Sequence, residues 1–292
     1  MTTTIGTHNG VFHADDAFAC AVLRLVYEGD VHIIRTRDQN ELQTCNYMVD
    51  VGGRHDPMAG AFDHHQRGGA GARENGVPFS SFGLVWKEFG VRVCGDQKVA
   101  NKVDEVLVTS IDAADCGFAL QGAPKIAGAR SMSLSAAISL LNPTWEERSA
   151  FDDAFAEAVS WATTLLRRAI ASAKGTVNAE SAVRKAQETA AGGPIVALEK
   201  FVPWGEYSFP EEHLFLVFPS EVGTWMVQAI PPVPGSFEKR KPLPETWAGL
   251  RDEELDRVTG VAGCVFCHTG RFIAGHKTLF GALALARLAV EA

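Results

Sequence analysis

The sequence contains no apolar segment long enough to cross a membrane. A transmembrane helix needs about 20 consecutive apolar residues, and every such window of the 292-residue chain is interrupted by Gly, Pro or a charged residue. The first residues also lack the basic start and the apolar stretch of a signal peptide. We therefore expect no membrane span and a cytoplasmic protein.

The sequence also has few closely spaced cysteines and no excess of positive charge. Of the six cysteines only Cys264 and Cys267 lie near each other, which is typical of reduced thiols rather than of a disulfide framework or a zinc knuckle. The 27 Lys and Arg residues are outnumbered by 35 Asp and Glu residues, a net charge of −8. This balance disfavours a long DNA track but allows short phosphorylated substrates held by metal ions.

The metallopeptidase motif His-Glu-x-x-His is absent as well. That motif places two zinc-binding histidines and a general base on one helix face. Without it, and without a convincing nucleophile triad, hydrolysis of proteins has no support in the sequence.

Short β-like runs alternate with amphipathic helical segments in the first third of the chain, a pattern that predicts an α/β fold with a mostly parallel sheet. Hydrophobic residues make up 46% of the chain, enough for two domains. Strands are predicted at 2–7, 31–36 and 47–51, and helices at 16–27, 77–90 and 97–112. A long helix from about 142 is predicted to break at Gly175, with a second helix at 179–191 before Gly192-Gly193-Pro194. Strands at 195–201, 214–219, 225–230 and 263–268 and a final helix from Thr278 follow.

Histidines are concentrated near the start of the chain. Six of the nine lie within the first 65 residues, where an even distribution would place about two. With neighbouring aspartates they follow predicted strands or end a helical run: His8, His13, Asp15 and Asp16; Asp50; Asp63, His64 and His65; Asp112 and Asp115. Because the carboxyl ends of parallel strands share one edge of a sheet, we expect these groups to converge.

Imidazoles and carboxylates together suit ions of the Mn, Mg or Zn type. Two such ions bridged by one aspartate form the arrangement used in two-metal hydrolysis of phosphoesters. The sequence therefore predicts a divalent metal centre with phosphoesterase chemistry.

Six motifs resemble the melanocyte-proliferating-gene-one family of the DHH phosphoesterases. They are GTHNGVFHADD at 6–16, VDVGG at 49–53, FDHHQ at 62–66, LNPTW at 141–145, PLPETW at 242–247 and FIAGHKT at 272–278. The family is often labelled metal-dependent protein hydrolase, although its studied members are regarded as 3′-to-5′ RNA exonucleases. The resemblance implies a DHH catalytic domain at 1–145, a helical connector at 146–192, and a smaller α/β substrate-binding domain at 193–292, with the active site between the domains.

The resemblance also implies roles for particular residues. His8, His13 and Asp15 resemble the first metal-binding cluster, Asp50 the bridging carboxylate, His64 a further ligand, and Asp115 or Asp112 the last ligand. His65 is expected to contact the phosphate or the leaving oxygen, and Asp63 to hold a histidine ring. Gly270, Arg271, Gly275, His276 and Lys277 resemble a glycine-rich loop that binds the substrate.

The first cluster departs from the usual DHH pattern of His, Asp, Asp. Its middle position is His13, and its spacing is one residue longer. A histidine in place of a carboxylate makes the site softer, which favours Mn or Zn over Mg.

Together with the metal-binding pattern, the resemblance implies a two-manganese 3′-to-5′ exoribonuclease that acts on short single-stranded RNA. A DHH phosphatase for pyrophosphate or a dinucleotide and a non-catalytic, metal-stabilised binding protein are the alternatives. No motif specifies an oligomeric state. Trp145, Trp204, Trp225 and Trp247 are interpreted as packing residues rather than as platforms for bases.

Overall fold

The computed structural model of the protein describes residues 2–118, 126, 128, 131–147 and 151–292. The chain divides into two compact units, Met1–Lys174 and Gly175–Ala292. The division falls inside one long helix, within the segment predicted to connect two domains. None of the helices in the described ranges is both long and apolar enough to span a membrane.

The first unit is built on a five-stranded sheet in the order β2-β1-β3-β5-β4. Its strands are β1 (Thr3–Thr7), β2 (Val31–Arg35), β3 (Tyr47–Val49), β4 (His55–Asp56) and β5 (Ala61–Phe62). All neighbouring pairs are parallel except β4 with β5. The prediction of an α/β fold with a mostly parallel sheet is therefore confirmed for this unit.

Most of the described helices of the first unit come after its last strand, β5. They are α1 (Ala14–Val26), α2 (Gln39–Leu42), α3 (Ser81–Cys94), α4 (Gln97–Val103), a π-helical turn (Asp104–Val108), α5 (Thr109–Asp115), α6 (Leu134–Ser139) and the beginning of α7 (Phe151–Ala190). The core between them is aromatic, with the rings of Phe18 and Phe82 5.2 Å apart. In β1 the absence of a side chain at Gly6 matters, because a Cβ there would lie 2.8 Å from Leu42.

The second unit contains a five-stranded sheet in the order β6-β7-β8-β10-β9. Its elements are β6 (Ile195–Ala197), β7 (Phe215–Pro219), β8 (Trp225–Ala229), α8 (Asp252–Thr259), β9 (Cys264–Cys267), β10 (Ile273–His276) and α9 (Leu279–Glu291). Only β6 and β7 pair in parallel, and the other three pairs are antiparallel.

Both faces of this second sheet are buried. Side chains alternate along β7, so that Phe215 and Val217 join one apolar cluster while Leu216 and Phe218 join the other. The second cluster also contains Ala179 from α7. The end of α7 is therefore part of the core of this unit.

Two expectations about local structure are wrong. Helix α7 runs without a break through Gly175, because one glycine costs a helix only about 1 kcal/mol and this long helix packs along its length. Trp204 and Trp247 are buried as expected, and Trp225 is half-buried. Trp145, however, is 86% exposed and is not a packing residue.

Candidate metal centre

Three neighbouring parallel strands deliver the predicted residues to one edge of the first sheet. His8 directly follows β1, Asp50 follows β3, and Asp63 begins the segment after β5. Because β1, β3 and β5 are adjacent in the sheet, their carboxyl ends lie side by side. Asp15 joins them from the first turn of α1, and Asp115 from the last residue of α5.

Asp50 lies at the centre of the cluster. Its Oδ1 is 3.3 Å from His64 Nε2 and 3.3 Å from His65 Nδ1, and its Oδ2 is 3.3 Å from His8 Nε2. The Ser81 hydroxyl also donates to Oδ1, at 3.0 Å. Burial alone would raise the pKa of this carboxyl, but the close contacts with the three histidines outweigh it and hold the pKa well below its usual range.

Asp15 is fully buried, and no described residue donates a hydrogen bond to either of its carboxylate oxygens. Burial, followed by the negative charges of Asp50 and Asp115, raises the pKa of this carboxyl well above its ordinary value. Such an orphaned carboxylate is costly in a protein interior unless a cation compensates it. A divalent ion bound beside it would remove that cost.

Asp16 holds His8 in place. One of its oxygens accepts from the backbone N–H groups of His13 and Ala17, at 3.0 and 2.7 Å, and the other lies 3.2 Å from His8 Nε2. Burial would lower the pKa of His8, but the nearby carboxylates of Asp16 and Asp50 raise it to about 10.

His64 connects the strand end with helix α5. Its Nε2 is 3.2 Å from Asp115 Oδ2 and 4.0 Å from Asp15 Oδ2. Its Nδ1 lies 3.9 Å from the sulfur of Cys116. Sequence reasoning did not select this cysteine, although its position directly after Asp115 was an available signal.

Asp63 orients the ring of His65. One oxygen accepts from the His65 backbone N–H at 3.1 Å and lies 2.9 Å from its ring Nδ1, while the other accepts from the N–H of Gly53 at 2.6 Å. The side chain of His65 is 63% exposed. Asp63 thus fixes the ring while leaving its Nε2 edge open to the cavity.

Four groups in the described parts of the chain bring ligand atoms within 4.8 Å of one another. They are His8, His13 and Asp50; Asp50, His64 and His65; His64, Asp115 and Cys116; and His13, Asp15 and Asp115. Imidazole nitrogens and carboxylate oxygens predominate, a donor set that fits manganese, magnesium or zinc. His13, Asp50, His64 and Asp115 each belong to two of the groups, and Asp50 is the residue that joins the group of His8 to the group of His64 and His65.

The cluster lines an open cavity of about 800 Å³. Beyond the residues chosen from the sequence, its walls include Arg37 and Gln39. Both follow β2, the strand next to β1, and so occupy the same edge of the sheet. Their position after a parallel strand was the signal that could have found them.

Asp112 lies outside these metal-ligating groups. Its Oδ1 accepts from the Ser80 hydroxyl at 2.6 Å and the Gly83 N–H at 3.0 Å, and its Oδ2 accepts from Arg73 at 2.5 Å. Arg73 also binds Asp104 with two nitrogens, at 3.0 and 2.6 Å. Burial raises the pKa of Asp112 to about 6, although Ser80 and Arg73 act in the opposite direction.

The predicted substrate-binding residues Gly270, Arg271, Gly275, His276 and Lys277 all lie in or beside the β9–β10 hairpin of the second unit. His276 is buried; its Nδ1 accepts from the Thr278 N–H at 2.9 Å, and its Nε2 is 3.0 Å from the carbonyl oxygen of Ala262. Nδ1 therefore holds the start of α9, and Nε2 faces the segment before β9. Lys277 is exposed, and substrate contact by this segment remains a prediction.

The loop between β1 and α1, which carries His13, is fastened by Asn142. The Phe12 N–H donates to Asn142 Oδ1 at 3.0 Å, and Asn142 Nδ2 donates to the Phe12 carbonyl at 2.9 Å. A guanidinium nitrogen of Arg35 donates to Gly10 in the same loop, at 2.6 Å. These bonds fix the backbone directly before His13.

Replacing Asn142 with Ala is expected to destabilise the protein by about 1–3 kcal/mol, because two backbone groups of Phe12 lose their partner. Asn142→Asp keeps the acceptor for the Phe12 N–H but places a carboxylate oxygen against the Phe12 carbonyl, so it should also destabilise the protein. Urea unfolding measures both. Equal stability of Asn142→Ala and the wild type would show that the loop is held by other contacts.

Comparison with known proteins gives a consistent result over the whole chain. The MYG1_exonuc family model, described as Uncharacterised protein family (UPF0160), matches residues 4–290. The human protein named MYG1 exonuclease is 37% identical, over 97% of this chain and 84% of its own length. A MYG1 protein of Schizosaccharomyces pombe is 34% identical, over 98% of this chain and 97% of its own length. No solved structure shows significant similarity. The chain belongs to the MYG1 family.

Proposed function

We propose that this protein is a metal-dependent phosphodiesterase of the DHH type that removes nucleotides from the 3′ end of short single-stranded RNA. The observation that carries the proposal is the position of Asp50 between the imidazoles of His8 and His64, beside the orphaned buried carboxylate of Asp15. The name exonuclease, given to the human, mouse and rat relatives, supports nucleic acid as the substrate.

Two overlapping ligand sets would hold two ions. His8, His13 and Asp50 form one set. His64, Asp115 and Asp15 form the other together with the shared Asp50. Asp112 is assigned a supporting role, because all its observed contacts are with Arg73, Ser80 and Gly83. The histidine content of both sets favours manganese.

When bound, the two ions would lower the pKa of a water molecule and neutralise the oxygens of the scissile phosphate. Asp50 faces histidines of both sets, so its carboxylate aligns them. The Nδ1 of His8 lies 3.2 Å from the carbonyl oxygen of Asn9, a contact that keeps the ring in one orientation with its Nε2 towards Asp16 and Asp50. Asp63 does the same for His65, whose exposed ring edge is placed to contact the phosphate or the leaving oxygen.

Hydrolysis of pyrophosphate or a dinucleotide is the second candidate. The net charge of −8 favours it, because a chain of this charge attracts a long polyanion poorly. Both candidates use the same residues and differ in the size of the substrate.

A time course with the purified protein and manganese tests the proposal. A short RNA labelled at its 5′ end, the matching DNA and pyrophosphate are offered in parallel, with His64→Ala as the control. We expect a manganese-dependent ladder that shortens from the 3′ end of the RNA and is absent with the variant. Phosphate release from pyrophosphate alone would assign a small-substrate phosphatase. Inactivity on every substrate would favour a binding protein.

A further inference from the structure

The carboxyl ends of the adjacent strands β2, β1, β3 and β5 lie beside the cavity, and Arg37 follows the end of β2. The order β2-β1-β3-β5 places the segment after β2 beside the segment after β1, and the Thr36 N–H donates to the Thr7 carbonyl at 2.8 Å. Adjacent strands are about 4.8 Å apart. Arg37 therefore belongs to the strand next to that of His8 and two strands away from that of Asp50.

Arg37 differs from the other arginine at this strand end. The side chain of Arg35 is 3% exposed and makes hydrogen bonds to Gly10, Phe151 and Asp152. Arg37 is exposed, and no described residue forms a hydrogen bond or an ion pair with its guanidinium group. Among the described residues that line the cavity it is the one lysine or arginine. Its charge has no structural partner within the described protein and faces the same space as the metal centre.

An anionic ligand in this cavity would meet two kinds of positive charge. Ions held by the histidine and aspartate cluster would compensate one phosphate at the strand ends of β1 and β3. A guanidinium group binds phosphate oxygens with two parallel hydrogen bonds, and it is the donor best matched to their geometry. Arg37 and the histidine and aspartate cluster line the same cavity, so a ligand with two phosphates can contact the ions with one and the guanidinium group with the other.

We propose that Arg37 forms a subsite for a second phosphate, the neighbour of the one that is cleaved. Substrates with at least two phosphodiester groups are then preferred over those with one. This inference rests on the proposed function and specifies its substrate class: an oligonucleotide rather than an isolated phosphodiester.

The test compares two substrates in the wild type and in Arg37→Ala. One is a tetranucleotide RNA, and the other is bis(p-nitrophenyl) phosphate, which has a single phosphate. We define the ratio as kcat/KM for the tetranucleotide divided by kcat/KM for bis(p-nitrophenyl) phosphate. This ratio should fall about 10- to 100-fold in the variant, as expected for the loss of one charge-assisted contact. Arg37→Lys should recover part of the ratio, because it restores the charge without the planar fork.

Arg54→Ala is the matched control. Arg54 is an exposed arginine in the segment after β3, and it does not line the cavity. An unchanged ratio in Arg37→Ala would overturn the subsite. Equal decreases of the ratio in Arg37→Ala and Arg54→Ala would also overturn it, because they would indicate a general effect of charge.

A binding measurement separates this inference from the proposed function. Fluorescence anisotropy of a 5′-fluorescein tetranucleotide, with calcium in place of manganese, requires no turnover. Weaker binding by Arg37→Ala than by Arg54→Ala would support the subsite even if the wild type hydrolysed neither substrate. Equal binding by these two variants, or no binding by the wild type, would contradict it.

Discussion

Replacing Asp50 with Asn is expected to lower manganese-dependent turnover on the order of a thousandfold or more, with the fold retained. The amide keeps the shape of the carboxyl and still accepts a hydrogen bond from Ser81, but it removes the negative charge that faces His8 and His64. Steady-state kinetics at saturating manganese give the size of the effect. Far-UV circular dichroism shows whether the fold is unchanged.

Asp56→Asn is the control for this loss of one carboxylate. Asp56 lies on β4 of the same sheet and accepts a hydrogen bond from the Ala59 N–H, a role that asparagine can also fill. Its activity should stay within about twofold of the wild type, as is usual for substitutions away from such a site. Full activity of Asp50→Asn would remove Asp50 from the mechanism.

Replacing Arg73 with Met is expected to destabilise the protein by about 3–5 kcal/mol, because it leaves the buried charge of Asp112 without its partner. Arg73 is almost buried, and its second partner, Asp104, also loses a bidentate contact. Urea unfolding at neutral pH measures the loss. The double variant Arg73→Met/Asp112→Asn should be more stable than Arg73→Met, since no buried charge is left unpaired. A double variant less stable than Arg73→Met would contradict this account of the pair.

The pH dependence of this variant follows from the pKa of Asp112, which burial raises from 3.8 to about 6. A carboxyl with a raised pKa binds protons more tightly in the folded state, so its ionisation lowers stability as the pH rises from about 4 to 6. Without Arg73 the pKa of Asp112 rises further. The stability deficit of Arg73→Met should therefore be small near pH 4 and grow towards neutral pH.

The convergence of the site was predictable because it depends on strand ends. His8, Asp50 and His64 each follow a short apolar run, and parallel strands place such residues at a common edge. Arg37 lies at the same edge of the sheet, because it follows the parallel strand β2. The sequence did not predict it, since the predicted site was based on histidines and aspartates and Arg37 is a single arginine outside those motifs.

The distinction between Asp112 and Asp115 was not predictable from spacing. The two residues lie three positions apart on α5, so either one could face the cluster if the helix were rotated about its axis. That rotation is fixed by Arg73 and Ser80, which lie 39 and 32 positions away from Asp112 in the sequence. Only the packed structure shows that Asp112 is satisfied by these partners.

His276 illustrates the same limit in the second unit. Its neighbouring glycine and lysine suggested a ligand-binding loop. The structure places the ring against the start of α9, where a Cβ on Gly281 would lie 1.9 Å from it. Such an approach depends on the register between a strand and the following helix, which no local motif specifies.

The most direct test of the central claim is the number of manganese ions that the metal-free protein binds. Isothermal titration calorimetry of the wild type, with Asp50→Asn in parallel, measures it without any substrate. We expect two ions per wild-type chain and at most one in the variant, because Asp50 is shared by both ligand sets. Failure of the wild type to bind manganese, or an identical stoichiometry in the variant, would contradict the account.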